Sequence, residues 1–348
     1  MEQEIAFLLH FIIIIIMRKI ALIAISTLVL YSCAVQEKVP TNTTSESSSS
    51  DTVIVKPFDF NYDEDSVFSV LSWNVEHFID SHDDPYIDNE RENNPPENMA
   101  LRVKLLLESL KKADADIVVF QEFESAKFLK QLANDSLPEM NYLYFADIPS
   151  HNWYMNVVVM SKFPMGVIRG YGAATTPLVD YKGENGLGET QNQINTRMWS
   201  IDIFPSEDYS FLLTGVHLKA GRSERDEAMR KGQLNLLVSN FNEILNAFPS
   251  QNMMVTGDLN AYPSSEELAL LKNNKWLKNQ FVDQVDSTIY SHPANNPSRR
   301  LDYMLVNENM SKEVVSEGIK VENFFSPDTM RIISDHLPVM GTFYTRDK

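Results

Sequence analysis

Six short polar motifs in this 348-residue chain carry residue types that can do chemistry, and each adjoins an apolar, strand-like run. They are Ser-Trp-Asn at 72–74, Gln121-Glu122, His217, Gly-Asp-Leu-Asn at 257–260, Arg-Leu-Asp-Tyr at 300–303 and Ser-Asp-His at 334–336. Because α/β folds place their sites where strand ends meet, we expect these groups to converge on one cleft. Carboxylates, amides and imidazoles in one cleft predict a metal-assisted hydrolase of phosphate esters.

Hydrolysis of a phosphodiester is difficult because its anionic oxygens repel the nucleophile and the leaving alkoxide is poor. A site must neutralise charge, deliver a deprotonated water and stabilise the departing oxygen. Glu122 and Asn74 offer the hard oxygen ligands that suit Mg²⁺ or Mn²⁺. Asp258 and Asn260 are two residues apart at a strand end, so they project to the same side. One of them can hold or deprotonate the water while the other binds a phosphate oxygen.

Two histidines complete the candidate set. His336 follows Asp335, and Asp302 is a second carboxylate that can fix the tautomer of the imidazole. His217 offers a further proton donor. Each motif alone has a more ordinary explanation, such as a turn or helix cap for an Asp and a packed or surface position for a His. The combination favours catalysis.

The apolar pattern predicts the elements that must position these residues. Strands are predicted at 67–73, 116–120, 142–145, 156–161, 198–204, 210–217, 252–257, 301–306 and 339–344, and helices at 98–112, 124–133, 223–247 and 265–272. The segment 170–196, rich in Gly, Thr and Asn, is predicted to be a long loop beside strands. Loops of that length in a compact domain are often functional, so we expect it to contact substrate.

Residues 1–33 form a targeting segment that resembles a bacterial lipoprotein signal. Arg18-Lys19 precede an apolar run at 20–30, and a small residue then precedes Cys33. Cleavage before Cys33 and lipidation of its thiol would tether the mature protein to a membrane, outside the cytoplasm, in the periplasm or at the cell surface. The residues before Met17 are explained by an upstream start codon. The alternative is a membrane-spanning helix, but the Arg18-Lys19 pair would make it costly.

The rest of the chain divides into a tether and a catalytic domain. Residues 34–62 are rich in Ser and Thr and predict a flexible tether, and residues 63–348 form one large domain. Cys33 is the only cysteine, so this domain has no internal disulfide. Its stability must come from core packing and from any bound metal.

The formal charge of −18 argues against a protein that holds nucleic acid by broad phosphate neutralisation. It does not exclude a nuclease, because an enzyme needs only a local positive field, which bound divalent cations can supply. An acidic stretch at 80–96 predicts a solvated loop, with a structural Ca²⁺ site as the alternative because hard cations favour clustered carboxylates.

The order of the motifs resembles the endonuclease/exonuclease/phosphatase superfamily, over 67–344. That superfamily includes pancreatic-type deoxyribonucleases, apurinic-site endonucleases, inositol phosphatases and sphingomyelinases. The resemblance implies a four-layer α/β sandwich of the DNase I type, in which two packed mixed β-sheets are flanked by helices. Secreted bacterial nuclease-like members are similar to this chain around 74–85.

The resemblance also implies roles for individual residues. Asn74 and Glu122 match the metal-binding Asn and Glu, and Asp335 matches a second acidic residue near the metal. Asp258 matches the residue that assists the water or the leaving group.

Asn260 matches the residue that holds phosphate, and Asp302 matches the acidic partner of the catalytic His336. His217 lies where apurinic-site enzymes are expected to carry Tyr and many other branches His, which favours the other branches. Arg197 lies where the family often has an Arg, although an ordinary charge at a strand edge explains it equally well.

Three functions remain open at this stage. The leading hypothesis is a divalent-metal-dependent phosphodiesterase, a nuclease acting on nucleic acid outside the cytoplasm. The alternative is a phosphomonoesterase, sphingomyelinase or inositol-phosphatase-like hydrolase. A non-catalytic surface binding protein is a minor alternative, because none of the expected metal-binding residues is missing. A nuclease predicts a basic groove and a lipid enzyme an apolar or aromatic rim. The candidates for a basic groove are Lys219, Arg222, Arg225, Arg299 and Arg300.

Overall fold

Two six-stranded mixed sheets form the centre of the domain. The computed structural model describes residues 59–62, 65–148, 153–191, 194 and 197–348. The predicted targeting segment and most of the predicted tether therefore lie outside the described residues. Among those residues, no helix is both long and apolar enough to cross a membrane.

The described part of the chain mixes strands and helices, with a run of seven consecutive strands between residues 144 and 217. The strands are β1 (Val67–Phe78), β2 (Ile117–Phe123), β3 (Tyr144–Asp147), β4 (Asn156–Ser161), β5 (Met165–Gly170), β6 (Thr176–Lys182), β7 (Gly188–Gln191), β8 (Met198–Ile203), β9 (Phe211–His217), β10 (Met253–Asp258), β11 (Phe281–Val282), β12 (Asp302–Asn307), β13 (Val314–Val321) and β14 (Val339–Tyr344). The helices are α1 (Glu90–Asn93), α2 (Met99–Ala113), α3 (Ala126–Ser136), α4 (Glu224–Ala247), α5 (Glu266–Lys272) and α6 (Pro327–Ile333). Short 3₁₀ turns lie at Pro138–Met140 and Met310–Glu313.

Each sheet has one parallel pair of strands near its middle. The first sheet has the order β13-β14-β1-β2-β4-β3, and the second has the order β11-β12-β10-β9-β8-β5. β1 and β2 are parallel, as are β9 and β10, whereas the other pairs in both sheets are antiparallel. The carboxyl ends of these two parallel pairs carry most of the candidate residues.

The side chains of β1 show how the four layers arise. Leu71 and Trp73 belong to a buried cluster that also contains residues of α2, α3 and α6. Phe68 and Val70 point to the other face, into a cluster shared by strands of both sheets. A third cluster joins the outer face of the second sheet to α4 and α5. The layers are therefore helices, sheet, sheet and helices, which confirms the predicted sandwich.

Serine side chains begin three of the helices where the sequence predicts them. The hydroxyl of Ser125 accepts a hydrogen bond from the backbone N–H of Phe128, at the start of α3. Ser265 caps α5 in the same way. Ser223 and Asp226 form a reciprocal capping box at the start of α4. Such caps satisfy the backbone donors that the first helical turn leaves unpaired.

Several elements differ from the prediction. The bounds of β4 and β14 are as predicted, but β1 and β2 continue beyond their apolar runs through the polar candidates. The predicted long loop at 170–196 contains the β6-β7 hairpin, whose Gln191 side chain donates to the backbone oxygen of Met229 on α4, 2.9 Å away. β5, β11, β13 and α6 were not predicted, because their apolar patterns are short or interrupted.

The acidic stretch at 80–96 is only partly a solvated loop. It contains α1, and Glu92 is buried, with its carboxylate accepting a hydrogen bond from the backbone N–H of Asp84 at 2.8 Å. Within this fully described segment, no three carboxylates or histidines lie close enough together to hold an ion. The alternative of a structural Ca²⁺ site therefore has no support within this segment.

Candidate active site

Strained backbone at the ends of β1 and β2 positions the first part of the site. Glu122 has a φ of +58°, a left-handed conformation that is unusual for a non-glycine residue in a strand. Glu76 and His77 in β1 have φ values of +49° and +50°, next to a shift in the β1–β2 register. Strain of this kind costs about 1–3 kcal/mol per residue and collects at functional sites. Here it coincides with the predicted metal-binding carboxylate.

Asn74 links the two sheets through its side-chain amide. The Nδ2 atom donates to Glu122 Oε1 at 3.2 Å and to Asp258 Oδ2 at 3.1 Å. The Oδ1 atom accepts from the backbone N–H of Glu76 at 3.0 Å. The backbone N–H of His77 donates to Glu122 Oε2 at 3.1 Å. The structure thus brings Asn74, Glu122 and Asp258 together, although they are far apart in sequence.

Asp258 ends β10 and lies in register with two other candidates. Its neighbour on β9 is His217 and its neighbour on β12 is Asp302. Asp258 Oδ1 accepts from the backbone N–H of Asn260 at 2.8 Å, and Oδ2 accepts from the Asn260 side chain at 3.2 Å. The left-handed backbone of Asn260, with φ of +50°, returns its amide toward the carboxylate.

His336 is held by a buried carboxylate. Its Nδ1 atom lies 2.8 Å from Asp302 Oδ2, and the same oxygen accepts a 2.6 Å hydrogen bond from the Ser291 hydroxyl. The backbone of His336 is also fixed, because its N–H donates to the Ser334 hydroxyl and its carbonyl accepts from the Trp73 indole. The Nε2 atom is directed toward the site and lies 3.8 Å from Asp258 Oδ2.

His217 lies deep in the same site. Its Nε2 atom is 3.7 Å from both Glu122 Oε1 and Asp258 Oδ2. Burial lowers the pKa of His217 to about 3, although Glu122 acts in the opposite direction. The imidazole is therefore neutral at physiological pH and can donate or accept a hydrogen bond without adding charge.

The carboxylates and His336 differ in their protonation near neutral pH. Burial raises the pKa of Asp258 to about 7, against the opposing charge of His336 and in the same direction as Asp302. Burial alone would lower the pKa of His336, but Asp302 and Asp258 raise it to about 10. The pKa of Glu122 lies below its usual range, because His217, His77 and the Asn74 hydrogen bond outweigh its burial. His336 is therefore cationic and Glu122 anionic near neutral pH.

Asp335 lies at the rim of the site, beside His336. Its Oδ1 atom is 3.8 Å from His336 Nε2, and its Oδ2 atom is 3.3 Å from His292 Nε2. Among the described residues, Asp335 makes no hydrogen bond or ion pair with Asn74 or Glu122. The structure brings the other seven predicted site residues into one contiguous network, and it joins Asp335 to that network through His336.

The donor set fits a hard divalent cation. The carboxylates of Glu122 and Asp258 meet at the Asn74 side chain, whose Nδ2 donates to both. Ligand atoms of Asp258, Asp302 and His336 also lie within 4.8 Å of one another, all buried. Asp302 Oδ1 is buried without a hydrogen-bond partner among the described residues. Oxygen-rich acidic pockets of this kind are typical of Mg²⁺ and Mn²⁺.

Two contributors were not singled out from the sequence, namely Ser291 and His292. An isolated bridge between His292 and Arg299 brings this segment to the site, and Arg299 Nε donates to His292 Nδ1 at 2.9 Å. The rings of His292 and His336 meet edge to face, with centroids 4.7 Å apart. No strand ending precedes this pair in the sequence, so the pattern that revealed the other candidates could not reveal these two.

A cavity of about 500 Å³ lies beside His336 and Asn260. Of the five basic candidates for a groove, Arg222 and Arg299 line it. The other three are held elsewhere: Lys219 pairs with Asp226, Arg225 with Glu189 and buried Arg300 with Asp283. The guanidinium of Arg197 lies near the Trp153 ring, 5.8 Å from its centroid. Burial lowers the pKa of Arg197, while Glu122 and Asp258 act on it in the opposite direction.

Comparisons with known proteins agree with this geometry. A model of the Endonuclease/Exonuclease/phosphatase family matches residues 71–336. No curated protein sequence matches the chain.

Solved structures share the fold at low sequence identity. An endonuclease/exonuclease/phosphatase from Bacteroides vulgatus is 15% identical, with a TM-score of 0.51 over 82% of this chain and 100% of that one. TDP2 from Caenorhabditis elegans is 15% identical, with a TM-score of 0.53 over 80% of this chain and 74% of that one. D. rerio TDP2, solved with a single-strand DNA product, is 17% identical, with a TM-score of 0.51 over 80% of this chain and 99% of that one. The match over most of the chain shows that this protein belongs to the endonuclease/exonuclease/phosphatase family of phosphoester hydrolases, whose enzymes use divalent metals.

Proposed function

We propose that this protein is a divalent-metal-dependent phosphodiesterase, specifically a nuclease that acts outside the cytoplasm. The observation that carries the proposal is the position of His336: its Nδ1 atom is paired with Asp302, and its Nε2 atom faces Asp258. In this arrangement the cationic imidazole can stabilise the negative charge of a phosphate ester, and the carboxylate that faces it can accept a proton from the attacking water.

The residues have separate roles in this proposal. Asp258 accepts the proton of the attacking water, and its pKa of about 7 suits a base at neutral pH. His336 stabilises the charge that develops on the phosphoryl oxygens, with Asp302 orienting it. Asn260 donates to a phosphate oxygen through Nδ2, and neutral His217 donates a further hydrogen bond.

Asn74 and Glu122 would hold the divalent cation, Mg²⁺ or Mn²⁺, at the end of the parallel β1–β2 pair. The bound cation supplies charge neutralisation for the phosphate and for the departing oxygen. Asp335 completes the acidic rim beside His336. The Asn74 hydrogen bonds to Glu122 and Asp258 keep this oxygen-rich corner in one place.

Nucleic acid is the substrate class that the cleft supports best. Arg222 and Arg299 line the cavity next to His336, and Arg197 lies within electrostatic range of Glu122 and Asp258. A local basic cleft on a chain with a net charge of −18 is what a nuclease requires. The structure of D. rerio TDP2 with a single-strand DNA product gives further support by analogy.

The location rests on the sequence alone. The basic, apolar and small-residue order before Cys33 supports export and lipid attachment of the mature chain. A tethered nuclease at the periplasmic side or the cell surface would release phosphate and nucleosides from nucleic acid.

The test is a substrate panel with matched variants. Protein that lacks residues 1–33 is incubated with Mg²⁺ and plasmid DNA, RNA, an inositol phosphate or sphingomyelin. Cleavage of DNA or RNA is expected, and His336→Ala or Asp258→Ala should reduce it by about 10²–10⁴-fold while folding is retained. His82→Ala is the control, because His82 is exposed.

Hydrolysis of sphingomyelin or the inositol phosphate without cleavage of either nucleic acid would replace the nuclease assignment with the alternative. Full activity of His336→Ala would remove this histidine from the mechanism. A folded protein that hydrolyses none of the four substrates would favour a binding role.

A further inference from the structure

One wall of the 500 Å³ cavity combines an aromatic ring with a cation. Tyr262, just beyond the Gly-Asp-Leu-Asn motif, leaves 41% of its surface exposed. The guanidinium carbon of Arg222 lies 5.9 Å from the centroid of the Tyr262 ring. Arg222 makes neither a hydrogen bond nor an ion pair with any described residue. Both side chains are therefore available to a ligand, and we call them the Arg222–Tyr262 wall.

The same cavity also borders two of the catalytic residues. His336 and Asn260 line the same space. A cavity of this size suits one small organic unit rather than an extended surface. A phosphate next to His336 would therefore place the group attached to it within reach of the wall.

Buried polar contacts hold the two loops that carry the wall. Arg230 on α4 donates to Glu267 Oε1 on α5 at 2.8 and 3.0 Å, and both side chains are buried. The same guanidinium donates to the backbone oxygen of Gly221, next to Arg222, at 2.8 Å. Because Glu267 lies in the first turn of α5, the helix that follows the Tyr262 loop, this pair ties both loops to one scaffold. Preorganisation of this kind reduces the entropy that binding must overcome.

The charge of the cavity favours an anionic ligand. Arg230 and Glu267 neutralise one another, which leaves Arg222 and Arg299 against Glu227. Arg299 donates through Nε to His292, and its terminal nitrogens make no hydrogen bond with a described residue. A ligand that combines a planar ring with phosphate groups satisfies both the wall and the arginines.

We infer that the Arg222–Tyr262 wall is a subsite for one nucleobase of the substrate strand, next to the phosphate that is cleaved. The base stacks on the Tyr262 ring, and Arg222 forms the adjoining side of the subsite. Stacking on an aromatic side chain accepts every base, because each base has a π-face, so the subsite selects nucleic acid over esters without bases and does not select a sequence. The inference rests on the proposed nuclease function.

Two oligonucleotides of the same length test the subsite. One carries thymine at every position, and the other has the same backbone with its bases replaced by abasic tetrahydrofuran units. The kcat/KM values for both are measured with Mg²⁺ for wild type, Tyr262→Ala and Tyr262→Phe. Trp276→Ala is the matched control, because Trp276 is 72% exposed, lies 5.0 Å from the Lys275 ammonium and does not line the cavity.

Wild type should prefer the base-bearing strand by about 5- to 150-fold, the range that one stacked base provides. Tyr262→Ala should lose that preference and cleave the abasic strand at the wild-type rate. Tyr262→Phe, which retains the ring, should behave as wild type does, and so should Trp276→Ala.

Three results would overturn the subsite while leaving the phosphodiesterase function intact. These are equal cleavage of both strands by wild type, an equal loss on both strands in Tyr262→Ala, and no loss in that variant. Failure of wild type to cleave either strand, together with hydrolysis of sphingomyelin or inositol phosphate, would instead reject the nuclease function and the subsite with it.

Discussion

His336 Nδ1 and Asp302 Oδ2 lie 2.8 Å apart, and both side chains are buried. The two residues are 34 positions apart in the sequence. They can meet only because β12 lies beside the segment that precedes β14. Because the carboxylate occupies Nδ1, the Nε2 atom is the one presented to substrate.

Asp302→Asn tests this pair. The amide keeps an acceptor for the Ser291 hydroxyl, so the fold should be retained, but the negative charge that raises the pKa of His336 is lost. Turnover should fall by about 10²–10⁴-fold. The alkaline limb of the pH–rate profile should also move to lower pH, because a less basic His336 loses its proton sooner. An unchanged profile would show that Asp302 does not act through His336.

Metal removal tests the donor set at Asn74 and Glu122. Excess chelator should abolish hydrolysis, and added Mg²⁺ or Mn²⁺ should restore it. Glu122→Gln should raise the Mg²⁺ concentration needed for half-maximal activity by at least about 10- to 100-fold, the loss that even outer-shell substitutions cause. Titration of each variant with Mg²⁺ provides the measurement. Activity that persists in chelator would exclude the metal from the mechanism.

Gly257→Ala should destabilise the protein at the strand that carries Asp258. Gly257 has a φ of +136°, and an added Cβ would lie 1.9 Å from the backbone oxygen of Val216. The free energy of unfolding should fall by at least about 1–3 kcal/mol in urea denaturation. Gly188→Ala is the control, because nothing lies within 4 Å of the added atom. Equal stability of the two variants would contradict this account.

Glu313, which is not one of the site residues, should make the stability of the protein depend on pH. Burial raises its pKa to about 7 from an ordinary value of 4.5, with Tyr209 and Asn252 donating to the carboxylate. A raised carboxyl pKa means that the stabilising contribution is complete below pH 4.5 and is lost as the pH rises through 7. Glu313→Gln should therefore reduce the loss of stability between about pH 5 and pH 8, measured as the urea midpoint. Glu308→Gln, at an exposed position, should not.

Cys33 should determine where the protein is found in the cell. Cys33→Ser removes the thiol that lipidation requires, so the protein should leave the membrane fraction or accumulate with its signal uncleaved. Fractionation and the mass of the mature chain distinguish these outcomes. Wild-type behaviour of the serine variant would refute the lipoprotein assignment.

The β6-β7 hairpin shows where the sequence pattern stops being informative. Its strands are half-exposed and polar, so no apolar alternation marks them. The hairpin instead packs over α4 at Gly232, where an added Cβ would lie 2.4 Å from the backbone oxygen of Pro177. That close approach depends on two distant segments, and a local pattern cannot predict it.

The extension of β1 and β2 has a similar cause. The sequence predicts that both strands end before Asn74 and Gln121, because the apolar run ends there. In the structure the backbone pairing continues, with Asn74 opposite Gln121. Backbone hydrogen bonds between parallel strands do not require apolar side chains. The change from apolar to polar residues therefore predicted the position of the site better than it predicted the end of each strand.

The sequence by itself determined which residues could serve the chemistry, four of the six helices that the structure describes and most strands, because these depend on residue type and local periodicity. The layered class of the fold followed from the resemblance of the motifs to a known family. Only the tertiary structure decided the pairings: His217, Asp258 and Asp302 side by side on three strands, Asp335 at the rim, and His292 against His336. Such contacts depend on strand register and on the packing of one sheet against the other. Both are long-range properties that no local pattern encodes.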